Sequence, residues 1–183
     1  DGHRWFPYEK GGGYRKWDGF KTFSVDWQFT GTRVKNCGMP GTRVQNEQYY
    51  LFPGLTYSSM TQGSIAVRKI SDSLWASVTA DAVISSEKWF DLLAVVLNSH
   101  VASGVLRWIR PQLVVSAGYV SRLPFPDCVE ESTGTGLRAL GRLCSHLKSK
   151  LVCLDILEAT YSDDRCSSLH DGCALTLHSF LHG

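Results

Sequence analysis

The chain has 183 residues, 43% of them apolar and 20% charged, with 19 Lys and Arg against 17 Asp and Glu. That length supports one domain with a core, or a domain plus an appendage, and the composition excludes global disorder. A net charge of +2 neither demands nor excludes nucleic acid, because a basic face can sit within a balanced total.

The charge is unevenly spread. In residues 1–44, Arg4, Lys10, Arg15, Lys16, Lys21, Arg33, Lys35 and Arg43 stand against Asp1, Glu9, Asp18 and Asp26. No apolar run approaches the roughly 20 residues of a membrane span, so no membrane partner is expected. The cysteines at 37, 128, 144, 153, 166 and 173 follow no signal peptide, which points to reduced thiols and a cytoplasmic setting. Opening on Asp1 instead of Met, the chain is expected to be a fragment or processed piece of a longer protein.

The first stretch, Trp5 to Gly19, mixes five aromatics, charged heads and the triplet Gly11-Gly12-Gly13. It reads as a partner-facing surface segment, too charged for a core strand and too aromatic for a linker. Residues 20–30 alternate apolar and polar and predict a half-buried strand. Gly31–Gly41 reads as a turn, and Glu47–Phe52 as a new ordered segment closed by Phe52-Pro53-Gly54. Leu55–Ser59, Ala66–Lys69 and Ala76–Ala80 predict short strands.

The period then changes. Apolar residues from Trp89 to Ile109 repeat at 3.6 and predict one amphipathic helix, with Ser85 and Ser86 as caps and Pro111 as its stop. Gln112–Ser116 and Arg122–Pro126 read as extended pieces, and Glu130–Gly136 as a linker. A second helix is predicted over about Gly136–Thr160, where leucines recur at steps of three or four, a spacing that suits packing on a neighbouring helix or domain. The whole predicts an α+β fold: a twisted, β-rich platform with an amphipathic helix, then a leucine-rich spacer helix. The division expected is a domain over 1–129 and a helical spacer and tail over 130–183.

Motifs for self-sufficient chemistry are missing. Gly11–Gly13 lack the Gly-Lys-Ser/Thr of a nucleotide-binding loop, so a tight turn offering amides to an anion is the better reading. Cys166, His170, Cys173 and His178 match no standard zinc spacing and read as incidental residues of a terminal helix. No nucleophile context, dinucleotide fingerprint or Asn-Pro-Pro-Tyr is present. Lys10, Arg15 and Lys16 can neutralise phosphates. From composition alone a solvated basic surface explains them better.

Trp5-Phe6-Pro7-Tyr8, Lys10-Gly11-Gly12 and Arg15-Lys16-Trp17-Asp18-Gly19 resemble a segment of large bacterial DNA N6-adenine methyltransferases. These are the BREX-type phage-defence enzymes and the related type IIG restriction-modification enzymes. Later pieces follow in the same order. Val25-Asp26-Trp27 resembles a Val-x-Trp strand. Arg43-Val44-Gln45-Asn46 with Tyr49-Tyr50 is similar to Arg-Pro-x-Asn and a tyrosine pair. Gly54-Leu55-Thr56-Tyr57-Ser58 resembles Gly-Ile-Thr-Trp-Ser. Ser85 to Leu97-Asn98-Ser99 and Gln112 to Pro126 resemble the helix and closing segment that come next. The likeness covers about residues 4–126.

That resemblance implies a target-recognition region binding double-stranded DNA, with the leucine helix packed on the rest of the enzyme. It gives Lys10, Arg15, Lys16 and Arg43 phosphates or base edges, and Gly11, Gly12 and Gly13 a close backbone approach. Gln45, Asn46, Thr56 and Tyr57 would line the groove-facing surface, since amide side chains suit the adenine edge. The chain itself needs no cofactor. S-adenosylmethionine and the flipping of the target adenine belong to the parent's methyltransferase domain. The alternative is a protein-interaction or structural module that never touches DNA.

Overall fold

The computed structural model describes residues 3–40, 42, 44–71, 73–75, 80–83, 85–110, 112–125, 131–155 and 157–158. Both helices and small sheets are present, an α+β arrangement. In chain order these are β1 (Trp5–Glu9), β2 (Phe23–Asp26), α1 (Gln28–Lys35), β3 (Gly54–Ser58), β4 (Val67–Ile70), β5 (Leu74–Trp75) and β6 (Ala80–Val83). The helices α2 (Phe90–Leu97), α3 (His100–Ile109), α4 (Ala117–Val120) and α5 (Glu131–Val152) follow.

Two three-stranded sheets form. One has the order β2-β1-β5, with β1 antiparallel to β2 and parallel to β5. The other, β4-β3-β6, is antiparallel throughout, with Thr56 opposite Arg68 on one side and Ala82 on the other. As the central strand, β3 is buried at all five positions. Leu55, Tyr57, Ile65, Val67, Phe90, Ala94, Leu97, Leu106, Val115 and Val120 form the core between this sheet and the helices. On the far side of α2, α5 packs closely: a Cβ on Gly141 would lie 2.5 Å from the Asp91 carbonyl oxygen.

Several expectations are corrected. The opening stretch does contain a central strand, because β1 pairs on both edges and its last residue, Glu9, is buried against Arg68. The strand expected over 20–30 is only β2. Its alternation continues into Phe29, Thr30 and Gly31, whose φ values of 51, 55 and 73° turn the chain left-handed before the helical turns of α1. Gly31 fits there because any Cβ would meet the Trp27 ring at 2.5 Å. The turn expected over 31–41 is therefore partly helix.

The single helix expected from Trp89 to Ile109 breaks, its two halves crossing at 73°. At the break the Asn98 carboxamide donates to the Val67 carbonyl (2.9 Å) and accepts from the Val67 N–H (2.8 Å). Ser99 then accepts from Ala102 N–H at 3.1 Å and caps α3. A strand-like pair with β4 thus outcompetes helical continuation. α5 begins five residues earlier than expected, so most of the supposed linker is its first turns, and the helix ends at Val152. Of the extended piece expected at 122–126, Arg122 and Leu123 belong to the turn leaving the short helix α4, and Pro126 falls outside the described residues. β3 and β4 lie where strands were expected. Of Ala76–Ala80, residues 76–79 fall outside the described residues, as do Arg43 and the Cys166–His178 cluster.

Candidate nucleic-acid interface

Where β1 ends, the chain needs a conformation that only glycine adopts easily. Gly11, Gly12 and Gly13 have φ of 72, 109 and 68°, three successive residues in the left-handed region. Gly12 N–H donates to Ser58 Oγ at 3.0 Å, tying this loop to the end of β3. A Cβ on Gly13 would approach the Phe20 ring at 2.8 Å. Gly12, Gly13, Tyr14 and Lys10 face solvent, and Lys10 Nζ sits 5.2 Å from the Phe23 ring centroid.

The next two cations turn inward. Arg15 Nη1 donates to Glu158 Oε1 (2.6 Å) and Nη2 to Asp155 Oδ2 (3.0 Å). Glu158, almost fully buried, also accepts the backbone N–H groups of Phe20 and Lys21, each at 2.7 Å. Leu157 N–H and Arg15 hold the Asp155 carboxyl below the usual range. Lys16 Nζ donates to the Asn98 carbonyl at 2.7 Å. Trp17 N–H donates to the Val67 carbonyl at 2.8 Å, and Lys69 N–H returns a bond to the Trp17 carbonyl. The loop is therefore stapled to the edge of β4 and to the residues after α5. Arg15 and Lys16, expected as phosphate contacts, are spent on that staple.

Beneath the loop the two sheets meet through a buried ion pair. Arg68 Nη2 and Nε lie 3.3 and 3.4 Å from Glu9 Oε2, and both side chains are almost wholly buried. Burial outweighs the attraction of Arg68 and pushes the Glu9 carboxyl up to about 7, while burial also lowers Arg68 despite its carboxylate neighbours. Arg68 and Arg15 both lie over the Phe20 ring, at 5.0 and 4.8 Å.

Thr56 and Tyr57 do not line a surface, which corrects the expectation for them. Both are fully buried because β3 has neighbours on either edge and elements on either face. Thr56 Oγ1 donates to the Asp81 carbonyl at 2.8 Å. The Tyr57 hydroxyl lies 3.4 Å from the Asp81 carboxylate, and burial raises both groups. Gln45 is half-buried, whereas Asn46 is exposed and left-handed (φ 57°) at the start of a 3₁₀ turn. The Lys35–Glu47 ion pair (2.6 Å) and the edge contact of Trp27 with Tyr50 hold this loop beside β2 and α1.

The same lobe carries exposed groups that were not among the expected DNA contacts. Trp5, Phe23 and Phe29 are exposed, Phe29 to 78%. Arg4 lies 5.1 Å from the Trp5 ring, and Arg4 and Arg33 share Asp26 at 2.9 and 3.1 Å. Burial would raise Asp26, but these two guanidiniums hold it below the ordinary range. Trp5 lies in the opening stretch read as partner-facing, whereas period-two alternation assigned Phe23 and Phe29 to a half-buried strand. A turn signal at Gly31 was their only warning. Elsewhere, an open polar cleft of about 560 Å³ between β4, α2 and α5 has its cations already paired. Lys21 meets Asp18, and both Lys69 and Arg142 meet Asp91. Among the described residues no cluster suits a metal ion, and no single helix is long and apolar enough to cross a membrane.

No family model matches the chain. Over 126 residues, 66% of its length, it is 25% identical to the adenine-specific methyltransferase PglX of Lacticaseibacillus casei (strain Zhang). The chain spans about 10% of that relative's length.

Proposed function

We propose that this chain is the target-recognition part of a bacterial DNA adenine-N6 methyltransferase of the restriction-modification or phage-defence kind. Residues 1–129 are the recognition unit on this reading, and 130–183 a helical spacer and tail. The observation that supports it most is the ordered series of motifs from Trp5 to Pro126, together with the likeness of two-thirds of the chain to an adenine-specific methyltransferase.

On this reading, the geometry supports a smaller set of DNA contacts. Lys10 and the solvent-facing backbone of Gly12 and Gly13 form the phosphate-facing rim, the Gly12 N–H itself being held by Ser58, because a left-handed glycine run brings backbone close to an anion with no side chain between. Gln45 and Asn46 supply amide side chains for adenine, and Arg43 keeps its phosphate or base-edge role on the resemblance alone. Arg15 and Lys16 shape the loop from behind. Thr56 and Tyr57 support it from the core. The parent's methyltransferase domain, the expected partner, holds S-adenosylmethionine and receives the flipped adenine.

Fluorescence anisotropy with a duplex at ~50 mM salt, where non-specific binding is still visible, is the direct test. Lys10→Ala is expected to weaken binding evenly across sequences and to reduce the salt slope by about one. Unchanged affinity and slope would sink the phosphate role. A second reading, a protein-interaction module, is favoured by the internal commitment of Arg15 and Lys16. It predicts no duplex binding under these conditions.

A further inference from the structure

We infer that Glu158, on the segment that follows α5, is the positioning residue of the glycine loop, so that the recognition unit extends beyond residue 129 to Glu158. The inference rests on the DNA reading and deepens it. The Glu158 side chain is fully buried. Among the described residues, its carboxylate accepts from donors of a single stretch. Arg15 Nη1 and Phe20 N–H donate to Oε1 at 2.6 and 2.7 Å, and Lys21 N–H donates to Oε2 at 2.7 Å. Gly19 makes room for this arrangement, since a Cβ there would stand 3.4 Å from Glu158 Oε1 and 3.1 Å from the Arg15 side chain.

The stretch so held would not keep its shape unaided. Trp17 and Phe20 have φ of 76 and 67°, a region that non-glycine residues occupy only where surrounding contacts over-determine them. Trp17 is fixed by its two backbone bonds with β4, and Phe20 by its N–H on Glu158. The Phe20 ring carries the constraint on to the glycines. It fills the space a Cβ on Gly13 would need, 2.8 Å away, with the Arg15 and Arg68 guanidiniums 4.8 and 5.0 Å from its centroid. Glu158 is tied in turn to α5. Cys153 N–H donates to the Ser149 carbonyl at 3.1 Å, Asp155 N–H to Val152 at 3.0 Å and Glu158 N–H to Asp155 at 2.9 Å, with Val152 and Cys153 buried. A displacement at the end of α5 therefore reaches Gly13 through two contacts, the carboxylate and the ring.

A double-mutant cycle on the full chain tests this, with Lys10→Ala and Glu158→Gln read by duplex anisotropy at ~50 mM salt. Gln keeps the size of the side chain but loses the charge and one acceptor. Glu158→Gln is expected to weaken duplex binding about tenfold, within the usual range for coupled sites. Amide exchange should quicken at Phe20, Lys21 and Gly11 to Gly13 while Leu55 to Ser58 of β3 keep their protection. In that background Lys10→Ala should cost less affinity than in wild type, because a loop that has lost its shape no longer presents Lys10. Sites without such coupling add. Additive losses, or duplex affinity unchanged by Glu158→Gln, overturn the positioning role and leave the DNA reading standing. No duplex binding by the wild-type chain overturns both. If protection of Leu55 to Ser58 is lost as well, Arg15→Lys, which keeps the charge, replaces Glu158→Gln in the cycle and additivity decides in the same way.

Discussion

Glu9 and Arg68 sit where the two sheets join, and their cost is set by burial. With its carboxyl raised to about 7 from an ordinary 4.5, Glu9 binds a proton more tightly in the folded chain than in the unfolded one. The stability it contributes is fully present below about 4.5 and is lost as pH rises through about 7. Glu9→Gln should flatten the fall in denaturant midpoint between those pH values, with Asp81, also raised by burial, leaving a smaller slope of the same sign. An unchanged slope would show that Glu9 is not the titrating group. Gly141 is a second residue whose identity is dictated by space. Gly141→Val places a Cβ against the Asp91 backbone, and overpacking of this kind costs about 1–3 kcal/mol. Chemical denaturation would read the loss, and a stability equal to wild type would mean that α5 is free to move away from α2.

At the level of elements, amphipathic periodicity found the helical stretch from Trp89 to Ile109 but not its break. Both halves keep apolar residues at helical spacing, so a periodic pattern runs unbroken across Asn98 and Ser99. The cap signal was present, since Ser at the start of a helical run is a standard N-cap, yet its meaning depended on β4 offering Val67 to Asn98. Asn98→Ala removes both bonds to Val67 and leaves the buried Val67 N–H without that partner, while the Val67 carbonyl keeps the Trp17 N–H. A loss of about 2 kcal/mol is expected, from the penalty for buried unsatisfied groups, with faster amide exchange at Val67 as the local readout. Protection of Val67 unaltered by the substitution would refute this account of the break. By contrast β3 and β4 were legible, because their pattern and flanking turns leave only a short strand as the solution.

Across the whole molecule, the loop of Lys10 to Lys21 is held by contacts that no spacing rule anticipates. Arg15 meets Glu158 across 143 positions and Lys16 meets Asn98 across 82. Reading these two as DNA contacts followed from the resemblance of the motifs around them. The structure instead makes them the frame on which Lys10 and the glycines are displayed. The sequence by itself determined β3, β4, the two long helical stretches, the α+β class and the motif order that the adenine-specific methyltransferase likeness accompanies. It could do so because periodicity, turn chemistry and motif spacing are carried by near neighbours. Only the tertiary structure decided which cations are spent inside, why Thr56 and Tyr57 are closed off, and which face of α5 packs on α2. Burial and ion pairing depend on groups that distant parts of the chain bring together.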